Sequence, residues 1–444
     1  MKLYPILFLV LMAQLSAFSQ ESQQGFSLQE AIAYALAHNY SVINAGRDEI
    51  DAQKQKWETI AGGLPQISGD ISYQNRLKQP ISLIPAEFTG GEPGTFLPIV
   101  FGQPQQATAT ATLRQQIFDG SYIVGIQATK AFIAFSANNK EKTDLEVRKS
   151  VVAAYGNVLL AKESVAILQK NKTALDKNLL ETRKIYENGL GDEESVEQLQ
   201  ITLSSIDNQL RNAIRLESIT LQMLNLVMGL PIDTPTLLSE NLDALAQKQI
   251  DLQLLESDFN VANNVDYKLA LNLNQQRFYE MKLAKSRALP TLNAFINYGS
   301  SAFSDSFTFL NSDQEWFDSS VLGFDLSIPI FSSFRRSAST QRAKIALEKA
   351  KTQLKEAEET IRLQLEQGQS DYLLAIEQYN AAKENLRLSE RIEQKNQIKY
   401  TEGLATSFDL RQAQTQLYAI QQEYLQSMVD VINRKTELET LINN

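Results

Sequence analysis

From about Ser333 to Tyr400 the chain carries a helical pattern with no proline in it. Apolar or small residues recur at Ala343, Leu347, Ala350, Leu354, Ala357, Ile361, Leu365, Gly368, Tyr372, Ala375, Tyr379, Ala382 and Leu386. Their spacing alternates mostly between four and three, the seam of a helix that packs against another helix. At 1.5 Å per residue such a helix is about 100 Å long. Globular cores are rarely that deep, so the stretch predicts a rod or a tube. Two four-residue steps in succession, Ala357 to Ile361 to Leu365, form a stutter, where a left-handed supercoil locally unwinds and the bundle straightens.

The same seam logic applies earlier in the chain. From Gly120 to Glu187 a helical period carries Val151, Ala154, Val158, Ala161, Val165, Leu168 and Leu175, and Gly189-Leu190-Gly191 turns it back. The returning helix carries Val196, Leu199, Leu203, Ile206, Leu210 and Leu224. A gapless offset of 214 places Arg148 on Arg362, Leu159-Leu160-Ala161 on Leu373-Leu374-Ala375, and Tyr186-x-x-Gly189-Leu190 on Tyr400-x-x-Gly403-Leu404. A repeat that keeps its turns in register indicates duplication.

Period-two runs precede each long helix. Ile67, Gly69, Ile71 and Tyr73 alternate with polar neighbours, as do Ala107, Ala109, Ala111 and Leu113. In the second half Leu292, Ala294, Ile296 and Tyr298 form one run, and Leu322, Phe324, Leu326, Ile328 and Ile330 the other. The predicted organisation is a first repeat over 20–231, with strands 66–75 and 107–118 and a helical hairpin 120–228. A connector follows over 232–262. The second repeat covers 263–444, with strands 291–300 and 321–331 and a hairpin 333–442. Residues 76–105 and 301–320 read as loops, and Ser27-x-x-Glu30 as a capping box.

The polar faces of the four runs are rich in Ser, Thr, Asn and Gln, and no segment remains to cover an isolated sheet. Alternating runs of about 9–11 residues suit membrane strands. Four cannot close a barrel, because open edges in lipid leave backbone groups unpaired. The barrel is therefore expected to be shared, as twelve strands from three chains or eight from two. Residues 1–19, with Lys2, an apolar run from Tyr4 to Ala13 and the small-x-small Ala17-Phe18-Ser19, read as a secretory signal peptide. Beyond them no stretch of eighteen consecutive apolar residues occurs, so no transmembrane helix is expected. The expected fold class is mainly α with a small β part: coiled-coil hairpins forming an α-barrel, plus strands for a transmembrane β-barrel.

Composition excludes several functions. The 444 residues include no cysteine and one histidine, and the net charge is −10. That balance offers no basic face for nucleic acid and none for an anionic lipid surface. Disulfides and thiol chemistry are excluded. No zinc spacing, P-loop, dinucleotide glycine pattern or nucleophile elbow is present. The lone His38 and the pairs Glu193-Glu194 and Glu358-Glu359 read as structural or solvated, so no catalytic residue, cofactor or metal is expected.

Signal, duplicated halves, strand pairs and the tip motif Tyr-x-x-Gly-Leu with Asp409-Leu410-x-Gln412-Ala413-Gln414 resemble the TolC-like outer-membrane efflux proteins, over essentially the whole mature chain. The resemblance implies a homotrimer in the outer membrane of a Gram-negative bacterium. A twelve-stranded barrel would continue into a periplasmic tube of twelve helices. It also implies a passive exit duct of a tripartite efflux or type I secretion system, working with a periplasmic adaptor and an inner-membrane pump. The residues it singles out are those of the two tips, for gating and adaptor docking: Tyr186, Gly189, Gly191, Asp192, Ser195, Tyr400, Gly403, Asp409 and Gln412. Gly189 and Gly403 match the docking turns, and Tyr400 matches a tyrosine that latches the closed state in some members. Asp409 matches an acid that lines the constriction in some members; its other reading is a carboxylate favoured by a helix N-terminus. Ser195 and Gln412 stand where aspartates can occur and Ala405 where a latching arginine can occur, so closure is expected to rest on contacts other than salt bridges. The competing class is a soluble periplasmic coiled-coil scaffold or adaptor, which would be released without detergent.

Overall fold

A computed structural model describes residues 25–256 and 259–442. The proposed signal peptide lies outside the described residues. The chain divides into two compact units, each drawn from both halves of the sequence: one of 1–49, 135–271 and 353–444, the other of 50–134 and 272–352.

The helices are α1 (Leu28–His38), α2 (Tyr40–Ala61), α3 (Gly120–Glu187), α4 (Glu193–Met228), α5 (Leu242–Lys248), α6 (Val265–Ser286), α7 (Arg335–Thr401) and α8 (Ser407–Ile442). The strands are β1 (Gln66–Asn75), β2 (Ile81–Pro85), β3 (Phe96–Val100), β4 (Gln105–Asp119), β5 (Thr291–Ser304) and β6 (Phe317–Ser327). The two hairpins are near copies in length: α3 and α4 have 68 and 36 residues, α7 and α8 have 67 and 36. All thirteen seam positions of α7 are buried or half-buried, and the helix runs unbroken through the stutter at Ile361.

In the first unit, α1 sits in the core. Its capping box forms: the Glu30 carboxylate accepts from the Ser27 backbone N–H at 2.8 Å and the Ser27 hydroxyl accepts from the Glu30 N–H at 3.3 Å. Leu28, Ala31, Ile32 and Ala35 then pack with Val151, Tyr155 and Leu159 of α3, Leu224 and Met228 of α4, Tyr372 and Tyr379 of α7, and Met428 and Ile432 of α8. The connector expected at 232–262 is more structured than a linker. It contains α5, and Tyr372 holds it in place, donating to the Gln249 carbonyl at 2.6 Å and accepting from the Asp251 N–H at 2.9 Å. A second cluster, Leu168, Leu175, Leu199, Ile206, Leu210 and Ala213, binds α3 to α4 further along. One window of α3 has a mean hydropathy of 1.5, long and apolar enough to cross a membrane, against the expectation of no such helix; 44% of it is buried. Its Val151, Val152, Tyr155, Val158 and Leu159 are core residues.

The second unit contains a four-stranded antiparallel sheet in the order β1-β4-β5-β6. Register places Ile67, Leu113, Ile296 and Leu322 in one row across it. The neighbouring row, Ser68, Thr112, Asn297 and Val321, faces the other way and is mostly polar. A bulge at Gln116 to Phe118 brings Phe118 into line with Leu292 and Leu326, so the apolar face continues. Two strands are longer than the alternation indicated, β4 by both ends and β5 to Ser304, while Ile328 and Ile330 lie beyond the end of β6. The loop expected over 76–105 folds into the hairpin β2–β3 with a 3₁₀ turn at Ala86–Thr89. Prolines at 80, 85, 93 and 98 favoured a loop reading there, but in a two-stranded ladder each strand has a free edge where proline is tolerated.

Candidate functional site

The two hairpin turns lie in the first unit and are built alike. Helix α3 ends in a Schellman motif: Gly189 N–H donates to the Tyr186 carbonyl at 2.8 Å and Leu190 N–H to the Ile185 carbonyl at 3.0 Å. Helix α7 ends the same way, with Gly403 N–H on the Tyr400 carbonyl at 3.0 Å and Leu404 N–H on the Lys399 carbonyl at 2.7 Å. This motif needs a residue in the left-handed region, and the two glycines have φ of 75° and 74°. The shared Tyr-x-x-Gly-Leu is thus the sequence of a helix end.

The helices that follow are capped by the same two groups with their places exchanged. At α4 the carboxylate of Asp192, in the N-cap position, accepts from the Ser195 N–H at 2.6 Å and the Ser195 hydroxyl at 3.0 Å. At α8 the Thr406 hydroxyl accepts from the Asp409 N–H at 3.2 Å, while the Asp409 carboxylate accepts from the Thr406 hydroxyl at 2.7 Å and its N–H at 2.9 Å. Positions 192 and 406, and 195 and 409, are equivalent at the offset of 214. Carboxylate and hydroxyl each satisfy orphan N–H groups of a first helical turn. The Ser195 N–H, then its hydroxyl, holds the Asp192 carboxyl below the ordinary aspartate range. The Thr406 hydroxyl, then its N–H, does the same to Asp409. Of the two readings of Asp409, this geometry supplies the helix-terminal one.

Uncharged bonds tie the first hairpin to the second. Asn171 donates to Gln421 at 2.9 Å, and Asn178 and Gln397 exchange amide bonds at 3.1 and 3.3 Å. The Thr182 and Tyr400 hydroxyls lie 2.6 Å apart, and those of Ser195 and Ser407 2.7 Å apart. Ser195 and Tyr400 therefore meet partners on the opposite hairpin. Tyr186, Gly189, Gly191, Asp192, Gly403, Asp409 and Gln412 are exposed. Sequence reasoning missed Asn171, Asn178, Thr182, Gln397, Thr406 and Ser407. A signal for the first three existed, because they continue the heptad seam of Leu168 and Leu175 with polar residues, a device that fixes register between helices.

Apolar side chains are left uncovered at the tips: Leu190 is 82% exposed, Leu404 73% and Phe408 56%, with the Arg411 guanidinium 5.3 Å from the Phe408 ring centre. His38 stacks on Tyr34 at 4.0 Å, and its Nδ1 lies 2.9 Å from the Tyr34 carbonyl. Arg362 pairs with Glu358 at 2.7 Å. Among the described residues no group of three His, Cys, Asp or Glu is placed to hold a metal.

Long helical hairpins and a four-stranded antiparallel sheet with one exposed apolar face make up the fold of this chain. Solved structures share it: VceC of Vibrio cholerae (TM-score 0.71, 16% identity, 94% of this chain and 96% of that one), the CmeC channel of Campylobacter jejuni (0.72, 16%, 94% and 85%) and the open state of MtrE of Neisseria gonorrhoeae (0.72, 16%, 94% and 89%). At such identity the likeness speaks for the fold. The family model described as outer membrane efflux protein matches residues 262–444, in the second half of the chain. No curated protein matches the chain in sequence.

Proposed function

We propose that the chain is the outer-membrane exit duct of a tripartite efflux or type I secretion system, gated at the periplasmic tips and without a catalytic step. The observation that carries this is the sheet. Its apolar face is exposed, with Ile67 at 76%, Ile296 at 47% and Leu322 at 66%, and its outer strands β1 and β6 each pair on one side only. Lipid on that face and a neighbouring chain at each edge satisfy both features. The family match and the channel folds favour this over the soluble scaffold.

Three chains giving twelve strands is the assembly we infer. An unpartnered seam on α4, Leu216, Ile219, Met223 and Leu226 at three-four-three spacing and 46–57% exposed, gives such neighbours a helical contact. The exposed Leu190, Leu404 and Phe408 are the proposed docking surface for an adaptor, itself coupled to an inner-membrane pump. The Thr182–Tyr400 and Ser195–Ser407 pairs are the proposed latch, in place of salt bridges.

The native absence of cysteine permits a direct test. Cells carrying Ser195→Cys with Ser407→Cys should export a probe substrate when reduced and lose export when oxidised. Equal export in both states would refute gating at these tips.

A further inference from the structure

Where β6 hands over to α7, within the second unit, a cavity of about 440 Å³ is lined by Arg287, just beyond α6, by Pro329, and by Arg335, Arg336 and Ser339 of α7. No carboxylate lines it, although the chain has 52 acids against 42 bases. The Arg336 guanidinium is fixed as one wall, donating to the carbonyls of Pro329 at 2.8 Å and Ile330 at 3.3 Å. Arg287 and Arg335 are exposed, and no described residue bonds or pairs with their side chains. Guanidinium forks gathered without a counter-acid match phosphate oxygens, which they bind in pairs of charge-assisted bonds.

The surroundings say which kind of phosphate. Ile328 is 57% exposed, Ile330 89%, Phe331 76% and Phe334 79%, so the apolar face of the sheet continues as a lip beside the arginines. Phe334 adopts a left-handed backbone, φ 61°, which bulky residues rarely do, and its ring meets Phe331 edge-on at 6.3 Å. Aromatic side chains with basic groups beside an apolar band mark the level of lipid headgroups. We propose that this cavity binds the phosphate of a phospholipid whose acyl chains lie along the lip. The overall negative charge, which excluded a basic lipid-facing surface at the level of composition, conceals this local cluster. The inference rests on the membrane reading above.

The test is native mass spectrometry of the full-length protein in detergent with phosphatidylglycerol, with diacylglycerol and with inorganic phosphate. Phosphatidylglycerol should be retained in preference to diacylglycerol, and Arg287→Gln with Arg335→Gln should retain about tenfold less. Unchanged retention in the double variant refutes the site. Displacement of the lipid by inorganic phosphate at equal concentration refutes the lipid and leaves a free-anion site. If the double variant changes the oligomeric mass, the single Arg335→Gln is read by the same ratio. Failure of the membrane reading would look different, as a protein released without detergent before any lipid is added.

Discussion

Removing the Tyr400 hydroxyl should bias the channel toward its open state. In the proposed latch it lies 2.6 Å from the hydroxyl of Thr182, a residue only 4% exposed. Tyr400→Phe leaves that buried hydroxyl without its partner, a loss worth about 1–3 kcal/mol. Once the tips part, water satisfies both groups, so the loss falls on the closed state alone. The open-to-closed ratio should rise roughly five- to 150-fold per chain, and further if three chains open together. Adding Thr182→Val removes the stranded group and should return much of the closed population, because replacing both partners by apolar groups is nearly neutral. Single-channel recording in planar bilayers reads the ratio directly. The bond is uncharged, so the effect should be the same at low and high salt. An unchanged open probability in Tyr400→Phe, or a double variant as open as the single, would contradict the latch.

Other changes separate tip chemistry from fold stability. Gly403→Ala has open space for its methyl but keeps a φ of 74°; it should cost about 1–2 kcal/mol, seen as faster amide exchange at 400–409 with the native mass unchanged. Leu190→Ala and Leu404→Ala should leave the melting temperature unchanged and abolish export, since both side chains are exposed; normal export would remove them from docking. Leu175→Ala, in the fully buried cluster between α3 and α4, should cost about 2–5 kcal/mol in thermal or denaturant unfolding. The Asp192 and Asp409 carboxyls titrate below their ordinary range, so their caps contribute above the unfolded aspartate pKa and are lost as pH falls through the lower, folded value. Amide protection factors at both tips, measured against the intrinsic rate at each pH, should therefore be alike at pH 7 and pH 5 and fall only below about pH 4.

Much of this fold was legible because its elements are long and periodic. A seam such as Leu347, Ala350, Ile361 and Tyr372 repeats over many turns, and no single side chain decides it. The alternation through Ile67, Leu113, Ile296 and Leu322 was equally plain, since each run is long enough to establish a period of two. Local rules that conflict with tertiary context were harder to read. The prolines of 80–98 obscured β2 and β3, and the connector disguised α5 because seven residues are too few to show a helical period. At the tips, Tyr-x-x-Gly-Leu identified both turns, yet its meaning as a helix end came from backbone bonds. Pairings across hairpins, such as Thr182 with Tyr400 or Asn171 with Gln421, depend on which helices become neighbours. One sequence marks those positions as polar residues on a seam without naming their partners. Arg287 lies nearly fifty residues before the adjacent Arg335 and Arg336, and only the fold brings it to them.

We propose that four strands per chain join those of other chains into one membrane-spanning barrel. The native mass of the detergent-extracted protein tests it most directly. Three chains, and no release without detergent, is the predicted result. Two chains would mean eight strands and a different tube, and a soluble single chain would contradict the barrel altogether.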